Sequence, residues 1–157
     1  MAGRTSAGLL PVRVGADGEV EVFLGHMGGP MWARKDARAW SVIKGEYVAG
    51  QEDPRDAAAR EWVEETGIPV PAGEWYDLGE VRQSGGKLVR AYAVLATEEF
   101  VVDLTTGPQV SMEWPPSSGR TLTFPELDRA EWCSLPVARE RLVAAQTAFL
   151  DRLELPA

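Results

Sequence analysis

Three glutamates, Glu61, Glu64 and Glu65, follow Arg60 in quick succession, with Glu52 a short distance upstream and Lys44-Gly45 before that. On a helix at 100° per residue the three carboxylates fall within an arc of about 100°, so they share one anionic face. Like charges at these spacings cost roughly 0.2–0.5 kcal/mol per pair, and acids in a last helical turn oppose the macrodipole by roughly 0.3–1 kcal/mol each. A hard divalent cation reverses that balance, because Mg²⁺ takes oxygen ligands and is commonly held by a few carboxylates together with substrate phosphates. The chemistry these residues suit is the binding of a divalent cation together with a phosphate compound. The competing reading of the same residues is a solvated charged face, with Arg60 in a surface ion pair of little value.

The elements that must hold these groups are well punctuated. Asp53 is a good N-cap, Pro54 suits the first helical position and Gly67 suits a left-handed C-cap, so the spacing predicts a helix between Asp53 and Gly67. Ala59, Trp62, Val63 and Thr66 lie opposite the acids and are expected to pack on a sheet, with Ala57 and Ala58 one turn below the carboxylates. Ser6–Val14 and Val20–Gly25 read as strands of a hairpin around Gly15–Glu19, with Pro11 at a sheet edge or bulge. Met27–Arg38 reads as a loop, and Ala39–Ile43 as a short strand that delivers Lys44-Gly45. Leu78–Ser84 and Lys87–Ala96 flank Gly85-Gly86 as a second hairpin. Thr105–Pro125, rich in Gly, Pro and Ser, reads as a long ordered loop near a functional surface. Ala130–Ser134 is expected to be the last strand and Val137–Leu153 an amphipathic C-terminal helix.

Composition bounds the alternatives. With 157 residues, 45% of them hydrophobic, the chain is expected to form a single domain over 1–157. Twenty-four acidic residues against sixteen Lys and Arg give a net charge of -8, which argues against generic binding to nucleic acid or anionic membranes. One cysteine, Cys133, and one histidine, His26, exclude an internal disulfide and make a zinc site of those ligands improbable. The apolar run Ala7–Pro11 is too short for a signal core or a membrane span, so the expected location is cytoplasmic. His26 is expected to be a half-buried histidine at a strand end.

Arg60-Glu61-Trp62-Val63-Glu64-Glu65-Thr66-Gly67-Ile68 resembles the second half of the Nudix box, and Glu52 precedes Arg60 by the box's own spacing. The lead-in WSVIKGEYVAGQEDP is similar to the Trp-x-Ile-Pro-Lys-Gly-Glu stretch of that family. The resemblance covers Gly45 to Ile68, with six residues between Gly45 and Glu52, one more than the family's box has there. The loop bulges around Val48-Ala49-Gly50 or the glycine role moves. Ile43 stands where a proline often precedes the lysine.

The resemblance implies an α/β fold, an α/β/α sandwich with a mixed sheet and a C-terminal helix. It implies a pyrophosphohydrolase acting on a nucleoside diphosphate linked to another moiety, with a dinucleoside polyphosphate as one substrate. A Nudix-like module that senses nucleotides without turnover is the alternative. Glu61, Glu64 and Glu65, with the Gly45 carbonyl, would bind Mg²⁺ or Mn²⁺. Glu61 or a neighbouring carboxylate would help deprotonate water, and Glu52 and Arg60 would orient the set. A further acid outside the box is assigned to Glu126, with Glu113 as the other candidate. Lys44, Lys35 and Lys87 are expected to meet substrate phosphates, Arg82 could reach the same mouth, and Trp32 and Trp114 could stack on a base. Whether the chain is a monomer or a homodimer is left open.

Overall fold

Alternating apolar residues build a sheet whose two faces are both covered. A computed structural model of the chain describes residues 4–154. Residues 1–3 and 155–157 of the expected domain lie outside the described residues. The strands are β1 (Thr5–Val14), β2 (Val20–Met27), β3 (Trp40–Ser41), β4 (Ile43–Glu46), β5 (Trp75–Arg82) and β6 (Leu88–Leu95), followed by a hairpin of β7 (Gln109–Glu113) and β8 (Thr121–Pro125), and finally β9 (Leu127–Ser134). The main sheet runs β3-β2-β1-β6-β5, with β4 also paired to β1 and β9 to β2. β1 and β6 are parallel and the other pairs antiparallel, so the sheet is mixed.

Period-two alternation sorts the core into two layers. Leu10, Val22, Leu24, Ala91 and Ala93 face one side, where they meet Ala138, Leu142, Phe149 and Leu150 of the C-terminal segment. Leu9, Phe23, Ile43 and Tyr92 face the other, against Ala57, Ala58 and Trp62 of helix α1 (Pro54–Thr66). The result is the expected α/β/α sandwich. The limits of α1 match the sequence reading: Asp53 accepts from the Arg55 N–H at 2.8 Å, Pro54 opens the helix, and Gly67 closes it in the left-handed region at φ 73°.

Three expectations are corrected. Pro11 lies at neither an edge nor a bulge but in the central strand β1. It sits where β1 exchanges its pairing with β4, over Ser6–Leu9, for pairing with β2, over Val12–Val14, so its missing N–H falls at the fork. Thr105–Pro125 is not a loop throughout, since β7 and β8 pair in register from Gln109↔Pro125 to Glu113↔Thr121. The C-terminal helix is present but divided into α2 (Leu135–Arg141) and α3 (Thr147–Asp151). Between them the Val143 N–H donates to the Trp40 carbonyl at 3.0 Å. Buried Gln146 accepts from the Val42 N–H at 2.9 Å and donates to Ser41 Oγ and Gln83 Oε1. These sheet contacts outweigh helical continuity. No helix among the described residues is long and apolar enough to cross a membrane.

Candidate active site

Helix α1 is rotated from the orientation expected of it. Its buried stripe is Ala57, Ala58, Glu61, Trp62, Glu65 and Thr66, while Val63 is 47% exposed. Trp62 fixes that rotation, packing on Phe23 and Phe100 and donating from Nε1 to the Pro69 carbonyl at 3.1 Å. Glu61 and Glu65 are thereby carried inward, to 7% and 3% exposure, and Glu64 stays outside. The inward acids meet β4 at Gly45. A Cβ added to Gly45 would lie 1.9 Å from the Glu61 carboxyl carbon, so only glycine leaves space for that carboxylate.

Arg60 ties the remaining acids together. It donates from Nε and Nη2 to the two oxygens of Glu52, both at 2.9 Å, and from Nη1 to Glu61 Oε1 at 2.8 Å and Glu64 at 3.3 Å. The planar guanidinium suits this bidentate grip. The Arg60 hydrogen bonds hold the Glu52 carboxyl below its usual range. The additional residue between Gly45 and Glu52 is absorbed in a turn, where the Gln51 and Glu52 N–H groups donate to the Val48 carbonyl and Gly50 takes φ 87°. Gly45 thus stays against Glu61, and Glu52 still reaches Arg60.

Burial pushes the Glu61 carboxyl up, partly opposed by Arg60. Burial raises Glu65 further, helped by a hydrogen bond to Glu126 and by the charges of Glu126, Glu61 and Glu64. Lys44 is shifted down by burial and by Lys87, against the pull of Glu126, Glu46 and Glu65. Among the described residues no three acidic side chains are grouped as they would be around an ion, and Arg60 meanwhile holds Glu61 and Glu64. The donor chemistry nevertheless fits a hard divalent cation. The candidate donors are all carboxylate or carbonyl oxygens, Glu61 and Glu65 are buried, and the repulsion of Glu126, Glu61 and Glu64 on Glu65 is of the kind a cation relieves.

These groups line one cavity of about 660 Å³. It brings together Lys44, Gly45, Glu61, Glu64, Glu65, Lys87 and Glu126 from the sequence-derived set. Glu52 and Arg60 stand behind the carboxylates rather than in the wall. Lys35 is outside the lining, its ammonium 5.5 Å from the Trp32 ring centre, while Trp32 itself lines the cavity. Glu113 and Trp114 lie at the end of the β7–β8 hairpin, away from the cavity, and Glu113 accepts from the Ser117 N–H at 2.6 Å. Arg82 is exposed and also outside the lining.

The sequence reading missed the cavity's apolar half, made by Met27, Pro30, Met31, Val110, Met112 and Phe124, and missed Arg4 at its rim. The alternation Val110-x-Met112 and Leu122-x-Phe124 was the available signal for the hairpin.

Comparison with known proteins identifies the family and the fold. A family model for the NUDIX domain matches residues 4–153. No curated protein matches the sequence. Among solved structures, the chain is similar to a C. elegans Ap4A hydrolase in a binary complex, with TM-score 0.67 and 22% identity over 95% of this chain and 93% of that one. It is similar to the NUDIX domain of Shewanella oneidensis NrtR complexed with ADP ribose, with TM-score 0.61 and 14% identity over 97% and 86%. A MutT protein from Methanosarcina mazei Go1 gives TM-score 0.58 and 23% identity over 96% and 92%. At these identities the structures speak for the fold, and the family match supplies the rest. That match spans nearly all the described residues and means that the chain belongs to the Nudix hydrolase family, as a Nudix-type pyrophosphohydrolase.

Proposed function

We propose that the cavity hydrolyses a phosphoanhydride bond in a nucleoside diphosphate linked to another moiety, a dinucleoside polyphosphate being one such substrate, and that it does so with Mg²⁺ or Mn²⁺. The observation that carries this reading is the meeting of buried Glu61 and Glu65 and solvent-exposed Glu126 with Lys44 and Lys87 in one cavity whose other half is apolar. Anion-binding and cation-binding groups side by side suit a phosphate chain, and the apolar half suits a base.

Glu61, Glu64 and Glu65, with Glu126 and the Gly45 carbonyl, would hold the cation. When bound, that cation neutralises the diphosphate and acidifies water. Lys44 and Lys87 bind phosphate oxygens and add positive charge where the leaving group forms. Arg60, fixed by Glu52, aims the Glu61 carboxylate, and Glu61 accepts the proton of the attacking water. Trp32 offers a face to a base, where stacking contributes roughly 1–3 kcal/mol.

The experiment is a panel of diadenosine polyphosphates, nucleotide sugars, ADP-ribose and deoxynucleoside triphosphates, assayed with and without Mg²⁺. Metal-dependent product that collapses in Glu65→Gln is expected. Metal-dependent nucleotide binding without product would instead establish a sensor.

A further inference from the structure

His26 is wholly buried, although it stands outside the cavity and none of the chemistry above uses it. Its Nε2 lies 2.7 Å from the Lys35 carbonyl and its Nδ1 lies 2.6 Å from Asp128 Oδ1. A carbonyl and a carboxylate are both acceptors, so each ring nitrogen faces a hydrogen-bonding partner. The ring therefore spans two elements that flank the cavity. Asp128 is on β9, next to Leu127 and two residues after Glu126, both of which line the cavity. Lys35 is in the loop that follows β2.

Beyond Lys35 that loop is anchored by Asp36, which pairs with Arg141, and by Arg38, which donates to the Arg139, Glu140 and Leu142 carbonyls. Between Gly29 and Lys35 the loop has, among the described residues, one hydrogen bond to the rest of the fold, which the Lys35 carbonyl accepts from His26. Its first half supplies Gly28, Pro30, Met31 and Trp32 to the cavity wall. The Lys35 N–H donates to the Trp32 carbonyl at 3.0 Å, and the Trp32 N–H donates to the Gly29 carbonyl at 3.2 Å. A constraint on Lys35 is thus passed back through one turn to the Trp32 backbone and through a second to Gly29. At the other end the Gly28 N–H donates to the Glu126 carbonyl at 2.8 Å. Trp40, edge-on to His26 at 5.1 Å, donates from Nε1 to Asp36 and steadies the exit of the loop. A buried charge-assisted pair is a poor route to stability, since well-packed apolar residues often serve as well or better. Its distinctive product is a fixed geometry.

We propose that His26, held by Asp128, is a positioning residue that fixes the Gly28–Trp32 wall, and so sets how tightly the cavity binds the group attached to the scissile phosphates. In placing that group against this wall, the assignment rests on the hydrolase reading above.

His26→Phe keeps a ring of similar size against Trp40 and removes both bonds. In the full chain with Mg²⁺, KM for diadenosine tetraphosphate is expected to rise about tenfold while kcat stays within about twofold. A merely structural residue would do the reverse, lowering kcat through loss of folded protein and leaving KM in place. Amide hydrogen exchange should quicken across Met27–Arg38 and stay unchanged across α1. Should His26→Phe fail to fold, Asp128→Ala removes one bond at a side chain that is 35% exposed and is read in the same two ways. Unchanged exchange across Met27–Arg38 overturns the positioning role. Quickened exchange with unchanged KM overturns its link to binding. If the wild-type protein gives no product, the hydrolase reading fails, and exchange alone still decides whether His26 holds the loop.

Discussion

The cavity has two walls built on opposite plans. On the α1 side, carboxylates are fixed by close sterics and by one arginine: Gly45 leaves just enough space for Glu61, and Arg60 grips Glu52, Glu61 and Glu64. On the far side, Met27 comes from the end of β2, Met31 and Trp32 from the loop after it, and Met112 and Phe124 from a two-stranded hairpin that is a sheet of its own. Methionine is flexible and polarisable, so the Met27, Met31 and Met112 side chains can adapt to what they touch even where His26 holds the loop backbone. Precise geometry is thus concentrated where a bond is to be broken, and compliance where a substituent is to be accommodated.

The contrast is broken most directly at Gly45. Gly45→Ala forces Glu61 out of its place, and kcat should fall by about 10²-fold or more, since a displacement near 1 Å at a reacting centre has that effect. A steady-state assay at saturating Mg²⁺ that shows less than about a fivefold loss would mean the wall is not rigid. On the compliant side, Trp32→Ala should raise KM for a base-bearing substrate by about tenfold with kcat nearly unchanged. An equal fall in kcat would show that this wall also positions the reacting atoms.

Stability gives a third measure. Glu61 and Glu65 both have raised carboxyl pKa values, chiefly through burial. Above the ordinary glutamate value the folded chain therefore holds more protons than the unfolded one, and stability falls as pH rises. Without divalent metal, Tm should drop by a few degrees between about pH 5 and pH 8. Glu52 is shifted the other way and acts below that window. Calorimetry should show that Glu65→Gln flattens the slope and that Mg²⁺ offsets it. The smallest effect is expected at Gly50→Ala. The left-handed backbone there costs about 1–2 kcal/mol with a side chain, yet nothing lies within 4 Å, so Tm should fall slightly and kcat should hold.

The rigid wall was largely legible in the sequence because its signals are local. Asp53, Pro54 and Gly67 mark the helix, and the Glu52 to Ile68 spacing carries the family resemblance. The rotation of α1 was not legible. Hydrophobicity favoured Ala59 and Val63 for the inside, whereas Trp62 packing and the space beside Gly45 turned Glu61 and Glu65 inward. The compliant wall was missed because Gly, Pro and Ser dominate Thr105–Pro125 and hide the alternation of β7 and β8. The break between α2 and α3 depends on Gln146 meeting Val42 and Gln83, partners far away along the chain.

The turn that absorbs the additional residue also offers a handle. Ala49 is exposed, neighbouring Gly50 has open space around it, and the chain's one cysteine, Cys133, is buried at 3% exposure. A thiol introduced by A49C would be the accessible one, so a fluorescent or spin label could be attached on the loop between Gly45 and Glu52. From there it would report on ligand arrival at the carboxylate wall without touching either side of the cavity.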